Sequence, residues 1–356
     1  MAEPVRVLIV DDSAFVRRAV ERMLSGLPDV RVVGTATNGT EAVAMVRELT
    51  PDVVILDVNM PELDGLQALQ RIMAETPTSV LMMSTLTTEG ARTTLRALDL
   101  GAVDFVDKTP AGTVMDIYGL APIIREKVRA VAGASLPAHA PVLPPVVTSR
   151  SPRPERPPHA SRYELVAIGT STGGPRALVE LIPRLPADLD AGVVVAQHMP
   201  AGFTQTLAER LNKRSAIEVI EAFDGAEVTP GRVLLAPGGS QITLKRVNGT
   251  LVTLIETGPT NLLHRPSVNL LFGSAAEVVG ARTVGLVLTG MGDDGATGLQ
   301  KLRDVGARTA AESAETAVIY GMPRAAASAA EIILPLPQIA QWLTRICGVW
   351  LAPNGG

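Results

Sequence analysis

Leu165-Val166-Ala167-Ile168-Gly169-Thr170-Ser171-Thr172-Gly173-Gly174-Pro175 runs from four apolar residues into a turn of glycine, serine and threonine and closes on proline. A short apolar run bounded by turn residues reads as a buried strand, and the amphipathic Ala177 to Leu185 after it reads as a helix. Strand, tight turn and helix together form the repeating unit of a parallel sheet, whose neighbouring strands need crossover connections. Downstream, Val193 to Ala196, Ile217 to Ile220, Val233 to Leu235 and Thr283 to Leu288 read as further strands. Thr243 to Arg246 and Leu251 to Ile255 flank Val247-Asn248-Gly249-Thr250, and the Asn-Gly pair predicts an antiparallel hairpin.

Upstream of this region the periodicities stop. Pro137, Pro141, Pro144, Pro145, Pro152, Pro154, Pro157 and Pro158 fall in a stretch with no core of its own, so residues 131–162 read as a linker. His139 and His159 lie in it and are expected to be solvated, leaving His198 and His264 as the histidines of a segment expected to pack. Before the linker, five apolar runs alternate with amphipathic stretches: Val5 to Val10, Val30 to Thr35, Val53 to Leu56, Ser79 to Met83 and Ala102 to Val106. The expected fold class is therefore α/β, with two doubly wound parallel-sheet domains over residues 1–130 and 163–350, the second larger and carrying the hairpin. A chain of 356 residues is long enough for both.

Composition narrows the function classes. A net charge of −4 with 3 % aromatic residues argues against the basic stripes and stacking rings of a nucleic-acid binder. No apolar run reaches the ~18 residues of a bilayer span, so membrane insertion is not expected. The start of the chain lacks the pattern of a secretory signal, and a cytoplasmic location is expected. Cys347, the single cysteine, reads as a buried structural thiol.

In the first domain, Asp11 and Asp12 follow the first strand, Asp57 closes the third, Ser84 closes the fourth and Lys108 follows the fifth. Ligands of such sheets bind beyond the carboxyl ends of the strands, so all five residues meet at one edge. Three carboxylates crowded there repel one another unless a cation lies between them, and an all-oxygen set suits Mg²⁺. Lysine and hydroxyl would then stabilise a phosphoryl group on the middle aspartate. Asp12 or Ser13 alone could be mere helix caps; five such residues at strand ends form a site.

On these residues, with Met60-Pro61 and Asp64-Gly65 behind Asp57, positions 5 to about 128 resemble the receiver domain of two-component response regulators. The resemblance implies a flavodoxin-like strand order 2-1-3-4-5, phosphotransfer from a histidine kinase to Asp57, Mg²⁺ held by Asp11, Asp12 and Asp57, and switch roles for Ser84 and Lys108. Thr109 separates Lys108 from Pro110, a small departure from many relatives.

Gly169-Thr170-Ser171-Thr172-Gly173 fits G-x-S-x-G, where small neighbours let a strand-to-helix turn expose a serine. Alone it has two readings, a nucleophile or an anion cradle, since helix-start amides serve both. The residues following it are not those of a P-loop, and the dinucleotide fingerprint is incomplete. His198 ends a strand expected beside that of Ser171, and Thr289-Gly290-Met291-Gly292-Asp293-Asp294-Gly295 ends a third. Serine needs a base, and imidazole needs a carboxylate to fix its tautomer and stabilise its cation. The order Ser, His, Asp differs from that of α/β-hydrolases, and the residues alone do not choose between Asp293 and Asp294.

With Gln197-His198-Met199-Pro200, Gly202-Phe203-Thr204, His264-Arg265-Pro266-Ser267-Val268 and Leu288 to Gly295, the second domain resembles the catalytic domain of chemotaxis protein-glutamate methylesterases (CheB). The resemblance implies a Rossmann-like hydrolase domain with Ser171 as nucleophile, His198 as base, Asp294 as acid, and Thr172 and the Met291 backbone at the oxyanion, with no cofactor in this domain. His264 reads as site-lining or structural; Asp293 and Asn269 stand where relatives commonly carry asparagine and aspartate. The implied function is phosphorylation-regulated demethylation of glutamate methyl esters on methyl-accepting chemotaxis receptors, releasing methanol, with deamidation of receptor glutamines. A histidine kinase would be the phosphodonor. The alternative is a non-catalytic or anion-binding response regulator that acts by protein docking.

Overall fold

The computed structural model describes residues 3–85, 88–108, 117–134, 162–258 and 262–348. Nearly all of the expected linker, with His139 and His159, lies outside the described residues, as do Thr109 and Pro110. The chain divides into two compact units, Met1–Val142 and Leu143–Gly356.

In the first unit, β1 (Val5–Val10), β2 (Val30–Ala36), β3 (Val53–Asp57), β4 (Ser79–Ser84) and β5 (Asp104–Asp107) form one sheet in the order β2-β1-β3-β4-β5. Every pairing is parallel. Helices α1 (Ala14–Leu24), α2 (Gly39–Leu49), α3 (Gly65–Glu75) and α4 (Thr88–Asp99) make the crossovers, and α5 (Ala121–Ala132) follows the last strand. Their starts are written in the sequence: Asn38 caps α2 through the Glu41 amide, and Asp64 with Gln67 forms a capping box on α3. β3 and β4 are buried along their whole length, the continuous apolar pattern of strands covered on both faces.

In the second unit, β6 (Leu165–Thr170), β7 (Gly192–Gln197), β8 (Glu218–Glu221), β9 (Arg232–Leu235), β12 (Thr283–Val287), β13 (Arg308–Glu312) and β14 (Ile332–Leu334) form a seven-stranded sheet. The order is β14-β13-β12-β6-β7-β9-β8, parallel throughout. The hairpin of β10 (Gln241–Val247) and β11 (Thr250–Glu256) stands apart as a two-stranded antiparallel sheet, turning through Asn248 at φ 51° and Gly249 at φ 85°. The helices are α6 (Gly174–Leu181), α7 (Phe203–Arg214), α8 (Val268–Val278), α9 (Ala296–Asp304), α10 (Met322–Ala326) and α11 (Leu336–Cys347). Leu271, Phe272 and Ala275 of α8 pack with Leu244 of β10 and Leu165 and Ala167 of β6 in one core. Cys347 is buried, and burial pushes its thiol up to about 12.

The structure departs from the expected elements in several places: α5 runs to Ala132, into the expected linker, and β5 begins at Asp104 rather than Ala102. α6 begins at Gly174 rather than Ala177 and yields to a 3-10 turn at Ile182–Arg184, because Pro183 lacks the amide to continue it. β13 and β14 were not expected: β13 reads Arg-Thr-Ala-Ala-Glu, poor in β-branched residues, and β14 is a three-residue edge strand.

Candidate active site

From β6 the chain moves to β7 on one side and returns to β12 on the other, so the strand order reverses at β6. Open sheets bind ligands in the crevice beyond such a switch point. Thr170 pairs with Gln197 across β6 and β7, so Ser171 and His198 are the next residues along each strand. The His198 amide donates to the Thr170 carbonyl at 3.0 Å and the Ser171 amide to the Thr289 carbonyl at 3.0 Å, bringing the β12 end into the same cluster.

The Ser171 backbone is held on both sides. Its carbonyl accepts from the Gln197 side chain at 2.9 Å and from the Gly174 amide at 2.8 Å. Gly173 takes φ 80°, a left-handed conformation that lets α6 begin three residues after the serine. A Cβ on Gly290 would stand 2.8 Å from Cβ of Ser171, so only glycine allows the β12 turn this close to Ser171. The Gly290 carbonyl accepts from the Gly321 and Met322 amides at 3.1 and 2.7 Å. Carbonyl and amide of one trans peptide point opposite ways, so the Met291 N–H is directed away from α10. Thr172 is buried, its carbonyl accepting from the Thr289 hydroxyl at 2.9 Å.

His198 Nε2 lies 2.8 Å from Asp294 Oδ2. An ionised carboxylate only accepts, so Nε2 carries the proton and Nδ1 is the basic atom of the neutral ring. Nδ1 is buried without a hydrogen-bond partner among the described residues. Asp294 also accepts from the Val268 amide at 2.8 Å, the Asn269 amide at 2.9 Å and the Ser267 hydroxyl at 3.1 Å, at the N-terminus of α8. Burial alone would raise its pKa, but the His198 bond and charge and the Asn269 and Val268 amides together hold it below the usual carboxylate value. Asp293 is exposed, and Asn269 caps α9 by accepting from the Gly298 amide at 2.7 Å. His264 stacks on His198, with centroids 3.9 Å apart.

In the first unit, Asp11, Asp12 and Asp57 present carboxylate oxygens within 4.8 Å of one another, a set that fits a divalent cation of oxygen preference. Lys108 Nζ lies 2.6 Å from Asp11 and 2.7 Å from Asp57. Burial raises the Asp57 pKa, against the pull of Lys108. Ser84 is buried at the end of β4, and its carbonyl accepts from the Lys108 amide at 2.7 Å.

The family model described as CheB methylesterase matches residues 166–343, and that of the response regulator receiver domain matches residues 7–115. The protein-glutamate methylesterase/protein-glutamine glutaminase of Symbiobacterium thermophilum is 46% identical over 360 residues, covering 97% of this chain and 98% of that protein. The chain belongs to the CheB methylesterase family. The like-named protein of Caldanaerobacter subterraneus is 44% identical, with 97% of each chain covered. The CheB methylesterase catalytic domain of Thermotoga maritima is similar at 41% identity and TM-score 0.51, covering 52% of this chain and 98% of that one.

Within this CheB-family chain, Ser171, His198 and Asp294 thus stand at one end of the sheet, and Asp11, Asp12, Asp57, Ser84 and Lys108 at the edge of the other sheet. Sequence reasoning missed the donors that hold Asp294, Ser267 foremost, and the buried Glu312 behind Thr289. Ser267 lies inside the His264 motif, a signal that was present but unassigned. Glu312 lay in a strand whose composition gave no sign of it.

Proposed function

We propose that Ser171, His198 and Asp294 carry out hydrolysis of glutamate methyl esters, and of glutamine amides, on methyl-accepting chemotaxis receptors. Ser171 Oγ attacks the γ-carbonyl carbon as Nδ1 of His198 takes its proton, and the imidazolium formed is stabilised by Asp294 through Nε2. The tetrahedral intermediate expels methanol, or ammonia from an amide, using the proton held by His198. Water then attacks the acyl-enzyme with His198 again as base, regenerating Ser171 and leaving glutamate. Thr172 and the Met291 amide line the position of the oxyanion. The observation that carries the reading is the His198–Asp294 pair at 2.8 Å beside the Ser171 turn.

Asp57 is the phosphoacceptor for a histidine kinase, with Asp11, Asp12 and Asp57 holding Mg²⁺ and Ser84 and Lys108 responding to the phosphoryl group. Mg²⁺, when bound, neutralises charge that phosphorylation gathers at this edge. The receiver domain spans 1–130 and the hydrolase domain 163–350, joined by the linker 131–162, and the protein works in the cytoplasm, where the kinase and the methylated part of the receptor are reached. Methanol release from methylated receptor membranes, with and without a small-molecule phosphodonor, tests the reading. Release should rise with the donor and vanish in Ser171→Ala; turnover retained by that variant would sink the assignment.

A further inference from the structure

Glu312 ends β13, one strand beyond β12, with its side chain fully buried. Oε2 accepts the Thr289 amide at 2.8 Å, and Oε1 lies 2.9 Å from the Thr316 hydroxyl, which itself accepts the Leu336 amide at 2.9 Å. Thr289 is the residue on which the nucleophile's turn is built. Its carbonyl takes the Ser171 amide at 3.0 Å and the Thr170 hydroxyl at 2.9 Å. Its own hydroxyl accepts the Ile319 amide at 2.9 Å and donates to the Thr172 carbonyl at 2.9 Å. One side chain therefore anchors the residue from which Thr170, Ser171 and Thr172 all hang.

Burial and a second anion, Glu180 of α6, favour the neutral form of this carboxyl, and the Thr289 and Thr316 hydrogen bonds oppose it. The turn after β12 offers it Thr289, β14 runs alongside through Leu334, α11 begins at Leu336, and the charge acting on it from α6 is a second anion, Glu180. Burial, foremost, pushes the group up to about 7. A carboxylic acid keeps one carbonyl to accept the Thr289 amide, and its O–H donates to the Thr316 oxygen once that hydroxyl proton turns away from Oε1.

We propose that Glu312 is a positioning residue for the hydrolysis, acting as a neutral acid that fixes Thr289 and through it the Ser171 turn. The proposal rests on Ser171 being the nucleophile. Glutamine presents the same acceptor and donor and replaces Glu312. Alanine leaves the buried Thr289 amide without its acceptor and loosens the turn. Ionised Glu312 keeps the contact to Thr289 but sets an anion two hydrogen bonds from Ser171, where it opposes a developing oxyanion.

The test is steady-state methanol release by the full chain from methylated receptor membranes, for wild type, Glu312→Gln, Glu312→Ala and Ser171→Ala. Thermal midpoints verify that each is folded at the assay temperature. Below pH 7, Glu312→Gln should match wild type within about twofold, and Glu312→Ala should lose about tenfold or more in kcat at unchanged KM. The kcat ratio of Glu312→Gln to wild type should rise as pH passes about 7. If Glu312→Ala does not fold, this ratio alone decides. A wild-type kcat in Glu312→Ala, a Gln variant as impaired as Ala, or a ratio flat with pH would overturn the proposal. Turnover in Ser171→Ala would instead overturn the hydrolase reading on which it stands.

Discussion

His264 lies flat against His198, ring centroids 3.9 Å apart and planes 12° from parallel. The stack covers one face of the His198 ring, while the Nε2 bond to Asp294 fixes the ring about its other axis. Stacked aromatic pairs contribute about 0.5–1.5 kcal/mol. His264→Ala should therefore lower kcat roughly 2- to 10-fold without abolishing turnover, measured as methanol release at saturating receptor.

Asp294 holds the His198 ring through Nε2 and also receives the first amides of α8. Asp294→Asn should lower kcat by about three to four orders of magnitude, since the tautomer of His198 is no longer enforced. The same carboxylate shapes stability at low pH. Its folded pKa is depressed, so its contribution is fully present above the unfolded value, about 3.9, and is lost as pH falls through the folded one. Acid unfolding curves of wild type should fall more steeply below about pH 4 than those of Asp294→Asn.

Asp57 behaves in the opposite sense. Its pKa is raised, so the folded state holds the proton more tightly and the contribution favours folding at low pH, fading as pH rises through the folded value. Near neutral pH the metal-free receiver carries this penalty. Added Mg²⁺ at about a hundred times its Kd should stabilise the first unit by about 2.7 kcal/mol, read as a rise in its thermal transition. Asp57→Asn should raise the metal-free midpoint and lose most of the response to Mg²⁺.

A methyl group on residue 290 has no room. The added carbon would lie 2.8 Å from Cβ of Ser171 and 2.3 Å from Sδ of Met322; the methionine can swing aside, but the Ser171 turn cannot. Gly290→Ala should reduce kcat by at least about tenfold while changing the thermal midpoint little, which separates displacement of the site from general unfolding.

Local patterns in the chain foretold most of the fold. Apolar runs such as Val53 to Leu56 and Val193 to Ala196 became central strands, and Asn248-Gly249 became the hairpin turn, because burial and turn chemistry are local properties. β13 was hidden because alanine, here Ala310 and Ala311, favours helix and is depleted in strands, and only pairing with β12 makes them a strand. The same holds at the site. Ser171, His198 and the Asp293-Asp294 pair were legible as strand-end residues, whereas the choice of Asp294 as the partner of His198 depends on α8 arriving from 26 residues upstream with its amides. The grip of Glu312 on Thr289 spans 23 residues and leaves no motif.

With Nε2 bonded to Asp294, Nδ1, the nitrogen nearer the main chain, is the basic atom of the neutral His198 ring. An electrophilic inhibitor that enters the crevice and alkylates the imidazole should consequently carry its label on Nδ1. Peptide mapping of the modified histidine, or ¹⁵N spectra of the ring, would read out the regiochemistry directly. Reagents built to reach a short distance past the serine would be preferred over those shaped for a base that presents its far nitrogen.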